Sequence, residues 1–147
     1  MNVSMHHCLR CPCAEKWGPV APFVLRIAVG LVFLLHGWQK FSGGVPGFEG
    51  MLSNLSVPLP MFFAWVVVIL EVVGGLFLIF GFLTHWSAKL LALEMLVAIL
   101  LVHVSNGFFV NGGGMEFALV LFATCVALMI TGAGPWSIDE GMKKKSV

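Results

Sequence analysis

Residues 25–41 read LRIAVGLVFLLHGWQKF, an apolar run with an arginine near its start and His36, Gly37 and Lys40 at its close. No charge interrupts it between Ile27 and Leu35. From Pro22 to Phe41 there are twenty residues, which at about 1.5 Å per residue is the length a helix needs to cross a hydrocarbon core of roughly 30 Å. Arg26, His36 and Lys40 are then ionisable groups placed at chosen depths. An isolated charge at a bilayer centre costs roughly 2.5–3.5 kcal/mol on insertion scales, so each needs a partner.

The rest of the chain repeats the pattern. Helix 1 is predicted from about Pro22 to Phe41, and helix 2 from about Leu59 to Phe82, after the break Val57-Pro58-Leu59-Pro60. Helix 3 follows from about Trp86 to Val104, and helix 4 from about Met115 to Thr131. Gly43-Gly44, Gly81, Asn106-Gly107, Gly112–Gly114 and Gly134-Pro135 punctuate the connections. The 147 residues are 59% hydrophobic and 10% charged, against about 25% charged for a soluble domain. The fold expected is an all-α, polytopic membrane four-helix bundle over residues 20–139. A Cys/His-containing tail (1–19) precedes it and a basic tail (140–147) follows. The first run has no small-residue cleavage site after it and reads as a retained helix rather than a signal peptide. A net charge of +1 with no basic stripe excludes a nucleic-acid partner.

The first connection is longer than a turn needs. Phe48, Met51, Leu52 and Leu55 recur at helical spacing with Glu49, Ser53 and Asn54 between them, which predicts a short amphipathic interfacial helix. Arg10, Lys16, Lys89, Lys143, Lys144 and Lys145 lie on the side shared by both termini and the second connection. Lys40 stands alone on the other side, so both termini are expected in the cytoplasm.

Depth counted along the helices places Arg26 roughly 20 Å below the outer surface and Glu71 within about 5 Å of that level. An Arg26–Glu71 pair is therefore expected, since a guanidinium offers a fork of donors that a carboxylate fills. Glu94 sits at a similar depth, and two carboxylates against one cation leave one of them to hold a proton. Glu71 and Glu94 are thus candidates for proton handling, against a reading in which they only staple helices. Lys40, His103 and Glu116 fall together near the outer ends of helices 1, 3 and 4, with His36 about 6 Å deeper. Glu116 joins the proton-handling candidates there. Arg26, His36, Lys40 and His103 are candidate ligand-binding donors, and a haem between His36 and His103 is a further option. Glu94 and His103, nine residues apart, lie about 180° round a regular helix, so one faces away or the helix bends.

Near the start, HHCLRCPC places His6, His7, Cys8, Cys11 and Cys13 within eight residues. Thiolates and imidazoles so spaced can hold Zn or Cu(I), and a mobile tail with incidental thiols is the alternative. Cys125 reads as a small packing residue.

Together, LRIAVGLVFLLHGWQKF, LEVVGGLFLIFGFLTHWSA, MLVAILLVHVSNGFFVNGGGMEFAL and GAGPWSID resemble the DoxX family of small bacterial membrane proteins. The resemblance rests on a helix-1 HGxxK (His36, Gly37, Lys40), a helix-2 ExxGG (Glu71, Gly74, Gly75), His103 and Glu116. It implies a four-helix membrane bundle in the bacterial inner membrane. It further implies a link to quinone-dependent electron transfer or redox and stress defence beside a partner oxidoreductase. The cysteine tail is not part of that family pattern.

Two functions follow as expectations. A quinone-linked redox subunit would use His36, Lys40 and His103 as donors to a quinone and Glu71, Glu94 or Glu116 to pass protons. The chain has no flavin, dinucleotide or iron–sulfur motif, so its electrons would come from a partner protein. A non-catalytic membrane scaffold or assembly factor would use the same polar residues for packing and recruitment, in one copy or as a homo-oligomer. A small-solute or metal transporter ranks third, since no inverted repeat is evident.

Overall fold

A computed structural model describes residues 17–145, and these are helices and turns with no strand among them. A 3-10 turn, Gly18–Val20, leads into α1 (Ala21–Ser42), followed by α2 (Val45–Asn54), α3 (Pro60–Phe80) and α4 (Thr84–Ala98). The helix continues beyond α4 through a π segment, Ile99–His103, and a 3-10 turn, Val104–Asn106. A glycine-rich loop then reaches α5 (Glu116–Thr131), and α6 (Ile138–Lys145) follows. The HHCLRCPC motif lies outside the described residues.

Prolines stand where helices tolerate them. Pro22, Pro46 and Pro60 occupy first turns, where a missing N–H leaves no intrahelical bond unmade. Gly81 ends α3 with φ +65°, a left-handed turn that closes with the amide of Phe82 on the Phe77 carbonyl at 2.9 Å.

Three helical stretches, Gly18–Ser42, Pro60–Phe80 and Thr84–Asn106, are long and apolar enough to cross a membrane. The expected fourth run is shorter: α5 has sixteen residues, about 24 Å of helix. Large apolar side chains such as Leu35, Ile69, Leu93 and Val120 are more than half exposed. The buried set joins large apolar side chains such as Phe33, Leu78, Leu91 and Leu128 with small or polar residues, among them Gly30, Gly37, Gly74, Gly75, Ala64, Ala88, Arg26 and Glu71. This is the distribution of a chain whose outside meets hydrocarbon.

The closest helix pair is α1 on α3, antiparallel. A Cβ on Gly30 would lie 2.8 Å from the Gly75 carbonyl oxygen, one on Gly75 would lie 2.7 Å from that of Gly30, and one on Gly37 would lie 2.8 Å from Glu71 Cβ. Glycine at all three is what lets the backbones touch. The register matches Arg26 to Ile79, Gly30 to Gly75 and Gly37 to Val72. Followed outward, it leaves the first turns of α3 standing beyond the end of α1, and α2 sheathes them. Val45 and Leu52 of α2 bury against Ala64 and Val68 of α3, with Phe48 and Val57 at the margin, as a cluster apart from the main core.

The helix expected between the first two spans therefore exists, but its buried face differs. Val45, Phe48 and Leu52 pack inward, while Met51 and Leu55 are exposed.

Candidate functional site

The offset of α3 along α1 decides which charges meet. Glu71 is eight residues from Ile79, roughly 12 Å along the helix, and Ile79 is the level of Arg26. The expected Arg26–Glu71 pair is consequently absent. It presumed that both helices end at one outer level, and they do not.

Lys40 takes the place of Arg26. Its Nζ lies 2.5 Å from Glu71 Oε2, with the lysine side chain 24% exposed and the glutamate 3%. The Phe48 ring of α2 covers the ammonium at 5.3 Å from its centroid. From α4, Glu94 stands close enough to this pair to interact electrostatically with both Glu71 and Lys40. Its Oε2 is buried and has no hydrogen-bond partner. Three helices thus bring one ammonium and two carboxyl groups together. One ammonium against two carboxyl groups leaves one carboxyl without a cation of its own.

Arg26 is wholly buried and is met by carbonyl oxygens. Its Nη1 donates to Ile79 O at 2.8 Å and Leu78 O at 3.4 Å, in the last turn of α3. Its Nη2 donates to Pro135 O at 3.2 Å and to Trp136 O, beyond α5. Phe23 lies against the guanidinium, 5.1 Å from Cζ to the ring centroid. A cation at a helix C-terminus meets the unsatisfied carbonyls and the negative end of the dipole. The arginine is a clasp between α1, the end of α3 and residues 135–136.

The expected outer cluster is not a single site. Lys40 turns inward to Glu71. Glu116 Oε1 accepts the amide of Val110 at 2.7 Å, and His103 Nδ1 donates to the Gly113 carbonyl at 2.8 Å, so both hold the glycine-rich loop. His36 is exposed on α1. Its Nδ1 donates to Val32 O at 2.8 Å, and its ring lies 6.0 Å from that of Phe117. The helix bearing Glu94 and His103 is irregular, with the Val104 amide reaching Ile99 O five residues back. That π turn adds one residue and turns the phase back by about 100°, which brings the two side chains to about 80° apart. Among the described residues no three His, Cys, Asp or Glu side chains gather to hold a metal ion.

A cleft of about 760 Å³ opens at the opposite end, where α1 and α4 begin and α5 stops. Pro19, Pro22, His85, Gly134, Asp139 and Lys143 are among its walls. Asp139 accepts the amides of Leu83 and Thr84 at 2.8 and 2.9 Å, capping α4 from a distant part of the chain, and donates its own amide to Gly81 O at 2.9 Å.

The DoxX family model matches residues 21–104, from the start of α1 to the end of the π segment, and so includes Lys40, Glu71 and Glu94. The chain belongs to the DoxX family. Among its relatives, a protein named putative oxidoreductase CatD, from Bacillus subtilis, is 32% identical over 82% of this chain and 85% of its own length. Inner membrane protein YqjF of Escherichia coli is 33% identical over 89% and 98%. Membrane protein Rv3486 of Mycobacterium tuberculosis, named as uncharacterized, is 32% identical over 88% and 85%. No solved structure matches significantly.

In this DoxX protein three residues escaped the sequence reading. Asp139 sits in the quoted GAGPWSID but gives no local sign that it caps a helix 55 residues earlier. Thr84 and His85 stood on the chain just before the expected start of helix 3. Thr84 is almost fully buried and its Oγ1 has no partner. His85 donates to the Met129 carbonyl and packs edge-on against Trp86.

Proposed function

We propose that this protein is the membrane subunit of a quinone-linked redox system in the bacterial inner membrane, with its termini in the cytoplasm. In this reading α5 completes a four-span bundle and α2 lies at the outer interface. A partner oxidoreductase supplies two electrons and the quinone takes them with two protons, becoming a quinol. Lys40, Glu71 and Glu94 are the groups that pass those protons. Lys40 has N–H donors left for a quinone oxygen after binding Glu71, because an ammonium has three. The observation that carries the reading is the free, buried Oε2 of Glu94 beside the Lys40–Glu71 pair. The relative from Bacillus subtilis named putative oxidoreductase CatD supports the reading.

A scaffold or assembly factor is the second reading. It is favoured by Arg26, His103, Glu116 and Asp139, all of which spend their hydrogen bonds on backbone groups of this same chain. Mild-detergent purification with mass spectrometry identifies any partner and bound quinone, and quinol formation by the complex is then compared with Glu94→Gln. A tenfold or greater loss of turnover at unchanged complex yield supports the redox reading. Unchanged turnover, or a loss that tracks lost complex, supports the scaffold instead.

A further inference from the structure

The proposed function leaves α6 unused, yet its first turn is tied to the ends of two membrane-spanning helices. The Asp139 amide reaches Gly81 O at the close of α3, and its carboxylate holds the amides of Leu83 and Thr84 at the start of α4. The spans Pro60–Phe80 and Thr84–Asn106 end and begin at that level. There α6 starts at the boundary between hydrocarbon and headgroups.

At about 100° per residue, Asp139 and Lys143 fall on one face of α6, and both line the cleft beside α4. Ile138 and Met142 fall on the adjoining face and are 47% and 46% exposed. Lys145, seven residues beyond Ile138, ends that face and is exposed. Just before the helix, Trp136 is 68% exposed. Its backbone is left-handed, φ +53°, and its carbonyl is held by Arg26, so the ring stands outside a fixed turn. Trp17 and Trp86 are also more than half exposed at this end, and Lys89 Nζ lies 5.2 Å from the Trp86 ring centroid. Indole rings collect in the headgroup layer, where one part is apolar and the other wet.

Charge selects the lipid. Asp139 is spent on α4, and Glu140 is spent on Lys144 at 2.9 Å. That pair is an exposed one, four residues apart, with the lysine side chain 75% exposed. Such a pair holds an ammonium weakly, so Lys144 and Lys145 can both meet phosphates.

We propose that α6 is an arm that docks flat on the anionic surface of the bilayer. Trp136, Ile138 and Met142 enter the boundary between headgroups and acyl chains, and Lys144 and Lys145 bind lipid phosphates. Docking presses Asp139 onto Gly81, Leu83 and Thr84, so lipid charge sets how firmly the start of α4 is capped. This holds whether the chain handles quinone or serves as a scaffold.

The full-length protein is placed in bilayers of phosphatidylcholine alone or with an equal part of phosphatidylglycerol, and hydrogen exchange is followed at Leu83, Thr84 and Asp139. A lysine near an anionic surface strengthens attachment roughly fivefold, so exchange should slow between about fivefold and twenty-fivefold in the anionic bilayers. Salt near 1 M, which confines charge effects to about 3 Å, should return the unaltered chain to its rate in neutral bilayers. Lys144→Gln combined with Lys145→Gln should do the same, and should exchange like the unaltered chain in phosphatidylcholine. Brominated lipid should quench a part of the tryptophan emission that Trp136→Phe lacks. Equal rates in the two bilayers overturn the proposal and leave the lysines to an acidic protein. So does slowing that persists in salt or in the double variant, and so does Trp136 emission that lipid bromine does not reach.

Discussion

Lys40 and Glu71 pair at 2.5 Å at the level where Gly37 brings α1 and α3 into contact, so the ion pair and the helix contact are one structural unit. Removing either partner strands the other. Glu71→Gln and Lys40→Met should each lower stability in detergent by about 3 kcal/mol, the low end for a broken buried pair because Lys40 reaches solvent. The double variant should cost clearly less than the sum, a coupling that a thermal-melt cycle measures. Additive losses would mean that the pair is not energetically real.

Glycine at the α1–α3 contact answers to a different measurement. Gly75→Ala would drive a Cβ into the Gly30 carbonyl and the Leu34 backbone, at 2.7 Å from each of their nearest atoms. Backbone cannot rotate out of the way as a side chain does, so a loss of about 1–3 kcal/mol is expected. Gly50→Ala, on α2 with nothing within 4 Å of its Cβ, is the control and should leave the melting temperature unchanged.

Asp139 bonds two amides at the start of α4. Asp139→Ala should destabilise the protein by about 1–2 kcal/mol, the range of a lost helix cap. It should also make the segment after Gly134 cleavable by added protease while α1 to α4 stay intact. Asp139→Asn keeps an acceptor oxygen and should recover much of the loss. Equal protease resistance in Asp139→Ala and the unaltered chain would show that the cap does not hold this segment.

Arg26 tests whether geometry or charge holds the end of the bundle where α1 begins. Lysine keeps the charge but offers a point rather than a fork. Arg26→Lys cannot reach both the α3 carbonyls and those of Pro135 and Trp136, so it should melt well below the unaltered protein and show faster hydrogen exchange at residues 134–139. A melt identical to the original would mean that charge alone suffices.

The spans were legible because lipid demands long apolar runs and the turn residues between them are unambiguous. Pairing was not. Arg26 and Glu71 look like partners when both helices are counted from a common surface, and the error lies in that common surface. Gly30, Gly37, Gly74 and Gly75 marked the faces that touch, but a row of glycines fixes a face without fixing how far one helix slides along the other. At the offset observed, Val45 and Leu52 of α2 cover the part of α3 that α1 leaves bare. Glu94 was found as a neighbour of Glu71 by depth alone. His103 could not be placed, because a π turn leaves no mark in composition. The cap by Asp139 is a contact between residues 55 or more positions apart, and no local pattern announces it.

The clasp around Arg26 also has a consequence for how the chain is made. Its carbonyl acceptors come from Leu78 and Ile79 and from Pro135 and Trp136, while the α4 cap comes from Asp139. A ribosome delivers residues 135–139 after every apolar helix has emerged. Until then α1 carries a guanidinium with half its acceptors missing, and the first amides of α4 lack their carboxylate. A nascent chain interrupted before Gly134 holds all its long hydrophobic helices but lacks the Pro135 and Trp136 acceptors of Arg26 and the Asp139 cap of α4.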